Sequence, residues 1–335
     1  MLKGYTKQEI SWMMYDWANS AHSVIIVTLL PIFFDTVAGY TADSVSSMST
    51  WGYATSIAML IVALAAPFLG VFGDIRGMRK KLFSFFMLLG VAACAGMAFT
   101  PGMDFTSGPV AAGKVATLIL VLYIVSVIGF DASAIYYDAF LTDVTIEDRM
   151  DKVSTMGYGL GYIGGSTIPL LIFLIMNLVG VPMLTCLAFV FGLTAVWWLA
   201  FSLPLLKNCE QTSGKPYEKG DVARSIKGVG TTIKEIIANK PMLIYILSYF
   251  FYIDGVHTVI SMATTYGTNL GLDSTGMMLA LLLVQILGLP FCLLYIKCSE
   301  KFGARTMVGF GICVYMFICI FAFFMNSLWQ FWMLA

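Results

Sequence analysis

The sequence predicts an all-α integral membrane protein built from two related halves, and three observations carry that prediction. Apolar residues make up 59% of the 335-residue chain and charged residues only 11%, whereas soluble domains carry roughly a quarter charged residues. Basic residues crowd into alternate loops between long apolar segments. One of those loops, Gly70-Val-Phe-Gly-Asp74-Ile-Arg-Gly77-Met-Arg79-Lys80-Lys81, has a degraded second copy, Lys297-Cys-Ser-Glu300-Lys-Phe-Gly303-Ala-Arg305.

A bilayer core needs about 20 apolar residues per helix. Spans are expected at 12–37, 52–73, 82–100, 115–137, 155–177, 183–204, 241–266, 276–296 and 306–326, with a tenth starting near Leu328. The eight residues from there to Ala335 cannot cross a bilayer, so the chain reads as C-terminally truncated after nine full spans and the start of a tenth. The first apolar stretch is too long for a cleaved signal and reads as a retained span.

Eighteen of the nineteen basic residues fall in loops on one side, with only Lys114 on the other. The positive-inside rule places that side, and the amino terminus with it, in the cytoplasm. The basic segment 205–240 separates an expected six-helix bundle, residues 1–204, from a partial second bundle, residues 241–335. Within the segment, Val222, Ile226, Val229, Ile233 and Ile236 recur at helical spacing, so an amphipathic helix on the cytoplasmic face is expected, capped by Asp221 and ended by Pro241.

The halves match at two places. Aligning Gly77 with Gly303 sets Asp74 over Glu300 and Arg79 over Arg305; Asn19-Ser-Ala-His22 aligns with Asp254-Gly-Val-His257 in span seven. Parallel repeats of this kind build transporters with a solute site between halves. Chance similarity between apolar helices is the competing explanation.

In the first loop, Asp74 can accept hydrogen bonds from a neighbouring helix terminus and pair with Arg79 or Lys80. Gly70 would permit close helix approach and Gly77 a tight turn. Together with Glu300, Gly303 and Arg305 these residues read as a conformational latch, against the plainer reading of a loop that only fixes topology.

Intramembrane charges need a reason, because a central Asp costs about 2.5–3.5 kcal/mol on insertion scales. Asp16, Asn19 and Ser20 share one face of span one, and Asp254 and His257 repeat the arrangement on span seven. With His22, Asp131 and Gln285 they are the candidate lining of a solute and ion path; polar glue between helices is the alternative. His22 and His257, the only histidines, could load and release a proton. Gly157, Gly161, Gly164 and Gly165 give span five two small-xxx-small spacings, read as close helix packing. The seven cysteines form no CxxC pair and read as small buried hydrophobes. No phosphate loop, metal-ligand cluster or nucleophile–base signature is present, so no cofactor, metal, nucleic-acid partner or enzymatic activity is expected.

Gly70-x-x-x-Asp74-x-x-Gly77-x-Arg79-Lys80 resembles the loop between helices two and three of the major facilitator superfamily. Three further stretches are similar to the signatures of its vacuole-effluxer branch. They are Tyr15-Asp16-Trp17-Ala18-Asn19-Ser20-Ala21, Arg149-x-x-Lys-Val-Ser154-x-x-Gly157-x-x-x-Gly161-Tyr162-x-Gly164 and Tyr252-Ile-Asp254-Gly255-Val256. The branch includes a fungal vacuolar amino-acid exporter.

The resemblance implies a major-facilitator-type bundle of twelve helices in two pseudo-symmetric halves. It also implies a secondary active transporter moving a small polar solute by alternating access, with amino-acid efflux and proton coupling as the leading expectation. The membrane would be a plasma, inner or vacuolar one. Span five loosely resembles the glycine motif of facilitator antiporters, but the usual proline after the first glycine is absent, which leaves exchange open. A transport-inactive scaffold or sensor with the same fold, and a facilitator for sugars or nucleosides, are the alternatives.

Overall fold

The computed structural model describes residues 4–41, 47–214, 216 and 221–335, apart from the side chains at positions 27, 221–227, 232, 261, 300 and 304. Nine of the described helical segments are long and apolar enough to cross a membrane, and no strand occurs among the described residues. In a bilayer every backbone polar group must be satisfied within the chain, which helices achieve locally.

Helix α1 (Lys7–Ala38) starts at a capping box, with Glu9 N–H donating to Thr6 Oγ1 and Thr6 N–H to Glu9 Oε2. Helices α2 (Ser47–Gly73) and α3 (Arg79–Met97) flank the charged loop, and α4 (Pro109–Val144) is the longest. Span five is composite: α5 (Glu147–Leu160), a π-helical stretch Gly161–Thr167, then α6 (Ile168–Leu178). Pro169 has no N–H to give the Gly165 carbonyl, so the regular ladder fails there. Thr167 Oγ1 instead reaches back to the Tyr162 carbonyl at 2.7 Å.

Helix α7 (Met183–Asn208) completes the sixth span, and α8 (Asp221–Ala238) lies in the connecting segment. The side chain of Asp221, expected to cap it, lies outside the described residues. Pro241 falls in the first turn of α9 (Lys240–Asn269), capped by Asn239, and so opens the next helix as well as closing off the previous one. Helices α10 (Ser274–Phe302), α11 (Ala304–Phe323) and α12 (Leu328–Leu334) follow. Most helices extend beyond their apolar stretches, as in span five, where Glu147–Lys152 forms a polar entry turn.

Helix α1 is the most enclosed span, 71% buried over its apolar window against 11% for α2. It packs on α4, α5, the π segment and α7, and its C-terminal half on α9. Two apolar cores fill the first six spans, one around Ile25–Phe34 and one around Trp12, Tyr15 and Trp198. A third, smaller core joins α10 to α12 through Met277, Ala280 and Phe331. The outward faces of α2, α9 and α11 expose Leu60, Leu64, Phe250, Phe251 and Phe310, the apolar belt that lipid would cover.

Candidate functional site

The polar edge of α1 is held by the glycine face of span five. A Cβ at Gly157 would run into Asp16, one at Gly161 would meet Ser20 Oγ, one at Gly164 would enter the Trp17 ring, and one at Gly165 would strike the Trp17 carbonyl. Only hydrogen at those four positions lets the backbones come so near. Ser166 Oγ donates to the Ser20 carbonyl at 3.3 Å from inside the π segment. Such π stretches are frequent at functional sites.

From the other side, Tyr137 Oη of α4 donates to Asp16 at 2.8 Å, and Trp12 Nε1 donates to the Tyr137 carbonyl at 2.9 Å. Tyr15 Oη pairs with Ser133 Oγ at 2.8 Å. Asp16 is therefore buried between α1, α4 and α5, and Asn19 is buried as well. Ser20 is half-buried.

His22 lies in an aromatic sandwich. Phe130 stacks on it at 4.8 Å between centroids, and Trp198 sits tilted at 5.1 Å. The residue is 3% exposed, and neither ring nitrogen has a hydrogen-bond partner among the described residues. Trp17 Nε1, Thr265 Oγ1 and Gln285 Oε1 are likewise buried and unpartnered. Thr265 lines a cavity of about 200 Å³ with Pro31, Asp35, Trp51, Thr268 and Asn269, where the C-terminal ends of α1 and α9 meet α2. Asp131 is partly buried and makes no hydrogen bond or ion pair with the described residues. Asp254 and His257 stand exposed on α9, so the two histidines that match in sequence occupy opposite environments.

The charged loop differs from its sequence reading in three respects. Arg79 is 5% exposed at its side chain and pairs with Asp143, whose carboxylate is fully covered; Asp74 stands 3.9 Å from Arg79 with its side chain 80% exposed. Asp143 is thus the principal acid of the loop, because α4 brings it against α3. Arg79 also donates to the Ala139 carbonyl at 3.0 Å. Lys80 donates to the Cys209 carbonyl at 3.1 Å and not to Asp74.

A Cβ at Gly70 would meet nothing within 4 Å, so Gly70 makes no close helix contact. That contact belongs to Gly73, three residues on, where a Cβ would lie 2.9 Å from the Tyr136 ring. Gly77 has φ +81° and Gly303 φ +82°, the left-handed backbone that favours glycine in both loops. Arg305 is exposed, and the Glu300 side chain lies outside the described residues.

A second ionic cluster escaped the sequence reading. Glu9, 2% exposed, receives Arg149 Nε at 3.0 Å, Arg149 Nη2 at 2.9 Å and Thr145 Oγ1 at 2.7 Å. It ties the start of α1 to the α4–α5 turn. The spacing Thr6-x-x-Glu9 was a readable capping signal; the partner 140 residues away was not.

The vacuole effluxer Atg22 like family matches residues 37–145 and 142–335. The uncharacterized MFS-type transporter YxiO of Bacillus subtilis is 40% identical over 343 residues, spanning 100% of this chain and 77% of that relative. Autophagy-related protein 22-1 of Penicillium rubens is 24% identical over 188 residues, which is 52% of this chain and 32% of that protein.

Among solved structures, a D-xylose-proton symporter superposes with TM-score 0.58 at 16% identity, covering 88% of this chain and 69% of that one. The partially occluded, inward-open xylose transporter XylE of E. coli gives 0.53 at 15% identity, over 89% and 73%. These two establish the fold: an all-α major-facilitator-type bundle. With the matched residues covering more than half of its length, the chain belongs to the vacuole effluxer Atg22 like family of major-facilitator-type transporters.

Proposed function

We propose that the protein is a secondary transporter that exports a small polar solute, with amino acids the leading substrate class, by rocking two helix bundles about a central path. The observation that carries the reading is the set of orphaned polar atoms inside the spans: both nitrogens of His22, Trp17 Nε1, Thr265 Oγ1 and Gln285 Oε1. Each unsatisfied buried group costs about 1–3 kcal/mol. Polar groups kept at that cost within a membrane mark solute and ion paths. They belong to α1, α9 and α10, so both expected bundles contribute.

In this reading Asp131, Asp254 and His257 join the path, with His257 or His22 as carrier of a coupling proton. Asn19 and Ser20 face it from α1, while Asp16, bonded to Tyr137, shapes the helix junction beside it. The residues Gly70 to Lys80, with Glu300, Gly303 and Arg305, act as the conformational loops. The amino terminus and basic loops face the cytoplasm. The family's description as effluxers supports the direction, and the resemblance of the span-one and span-seven signatures supports the substrate class.

The test is counterflow. Full-length protein in liposomes preloaded with mixed unlabelled amino acids is expected to accumulate a labelled amino acid, with a rate that differs between about pH 5.5 and 7.5 if a histidine couples protons. Folded protein that accumulates none at either pH would remove amino acids as the substrate class and favour a different solute or a scaffold.

A further inference from the structure

The residues that follow α7 are bonded to the first bundle far more fully than a polar linker requires. Asn208-Cys-Glu-Gln-Thr-Ser-Gly214 has no periodicity and no charge pattern that stands out. Gln211 nevertheless spans the whole charged loop. Its Oε1 accepts from Gly77 N–H at 2.8 Å and Arg79 N–H at 3.2 Å, while its Nε2 donates to the Gly73 carbonyl at 3.0 Å. One amide thereby satisfies groups that the end of α2 and the start of α3 leave open.

The next two residues bind the buried acid of the loop. Thr212 N–H, Thr212 Oγ1 and Ser213 N–H all donate to Asp143 Oδ1, at 3.1, 2.8 and 2.9 Å. Ser213 Oγ accepts from Arg79 at 3.2 Å. Upstream, Asn208 Nδ2 donates to Ser11 Oγ at 2.9 Å and the Cys209 thiol points to the Gln8 carbonyl at 3.6 Å. Gly214, at φ +118°, lies so close to the loop that a Cβ would stand 2.7 Å from the Asp74 carbonyl. These seven residues touch α1, α3, α4 and the loop between α2 and α3.

We propose that Asn208–Gly214 is a strap that fixes the Gly73–Lys80 loop against the end of α4, with Gln211 as its positioning residue. The Asp74–Arg79 pair cannot supply this rigidity, since at 3.9 Å, with the Asp74 side chain exposed, it contributes little. Hydrogen bonds to the buried carboxylate of Asp143 are individually stronger and share one acceptor.

Cys209 reports on the strap directly. It is wholly buried there, and burial pushes its thiol up to about 11, so it reacts slowly with electrophiles at neutral pH. Alkylation by N-ethylmaleimide, followed by mass spectrometry on the full-length protein in lipid nanodiscs, compares Cys209 with Cys94, buried in α3 of the same bundle.

Gln211→Ala is expected to raise the Cys209 rate about tenfold with Cys94 unchanged, because the three hydrogen bonds that hold the strap to the loop are lost. Gly214→Ala, strained at its positive φ, is expected to raise it about threefold. Labelling of Cys209 at the wild-type rate in both variants would overturn the strap. An equal rise at Cys209 and Cys94 would overturn it too, because the whole bundle would then have loosened.

Discussion

The two copies of the loop carry the same glycine conformation and the same basic residue, yet they live in different surroundings. Arg79 is enclosed by Asp143, the Ala139 carbonyl and Ser213, whereas Arg305 is exposed on α11. The span-one and span-seven signatures diverge in the same way: Asp16 is bonded to Tyr137 and His22 is caged by rings, while Asp254 and His257 stand open. Over these 335 residues the two copies share backbone geometry but not side-chain environment. The environment is set by what the rest of the chain brings alongside, here α4 and the segment after α7.

The sharpest way to break that comparison is to delete the two arginines. Arg79→Ala leaves the Asp143 carboxylate buried without its cation and is expected to cost about 3–5 kcal/mol. Arg305→Ala should stay within about 0.5 kcal/mol, as exposed positions do. Thermal unfolding of the purified protein reads both, and equal shifts would erase the distinction.

Glycines sharpen it next. Gly165→Ala drives a methyl into the Trp17 carbonyl and is expected to cost about 1–3 kcal/mol. Gly309→Ala in α11 meets open space and is expected to gain up to about 1 kcal/mol of helix propensity. The same melting curves decide it.

A smaller effect, of opposite sign, is expected at His22. Replacing it by Phe keeps a ring between Phe130 and Trp198 and removes two orphaned nitrogens, so stability should rise by about 1 kcal/mol while transport falls. Smallest of all is Asp74→Asn, expected to change stability by less than about 0.5 kcal/mol. Any transport defect it causes then lies in the conformational cycle and not in folding, which a comparison of melting temperature with transport rate would separate.

Much of the fold was legible because lipid imposes long apolar runs and the positive-inside rule imposes alternating charge. The glycines of span five were legible as close-packing positions, but their partner was not: that they lie against Asp16, Trp17 and Ser20 depends on tertiary pairing. The π stretch left only an indirect trace in Pro169 and the neighbouring glycines. Gln211, Thr212 and Ser213 were invisible, since a short polar run after a helix looks the same whether it is solvated or bonded. The role of Asp143 was illegible for a related reason: an acid near a helix end usually meets water, and here Arg79 reaches it from a helix 64 residues away. Gly70 misled because the motif spacing drew attention to the first glycine, although Gly73 makes the contact.

The central claim is that the orphaned polar atoms around α1 exist for a solute and not for the fold. The most direct test is amino-acid counterflow by the full-length protein and its His22→Phe variant, against empty liposomes, with melting temperatures measured alongside. Wild-type accumulation, with at least about tenfold less in a variant that melts no lower, is the predicted result. A variant that carries solute as fast as the wild type, or a folded wild type that accumulates none, would contradict it.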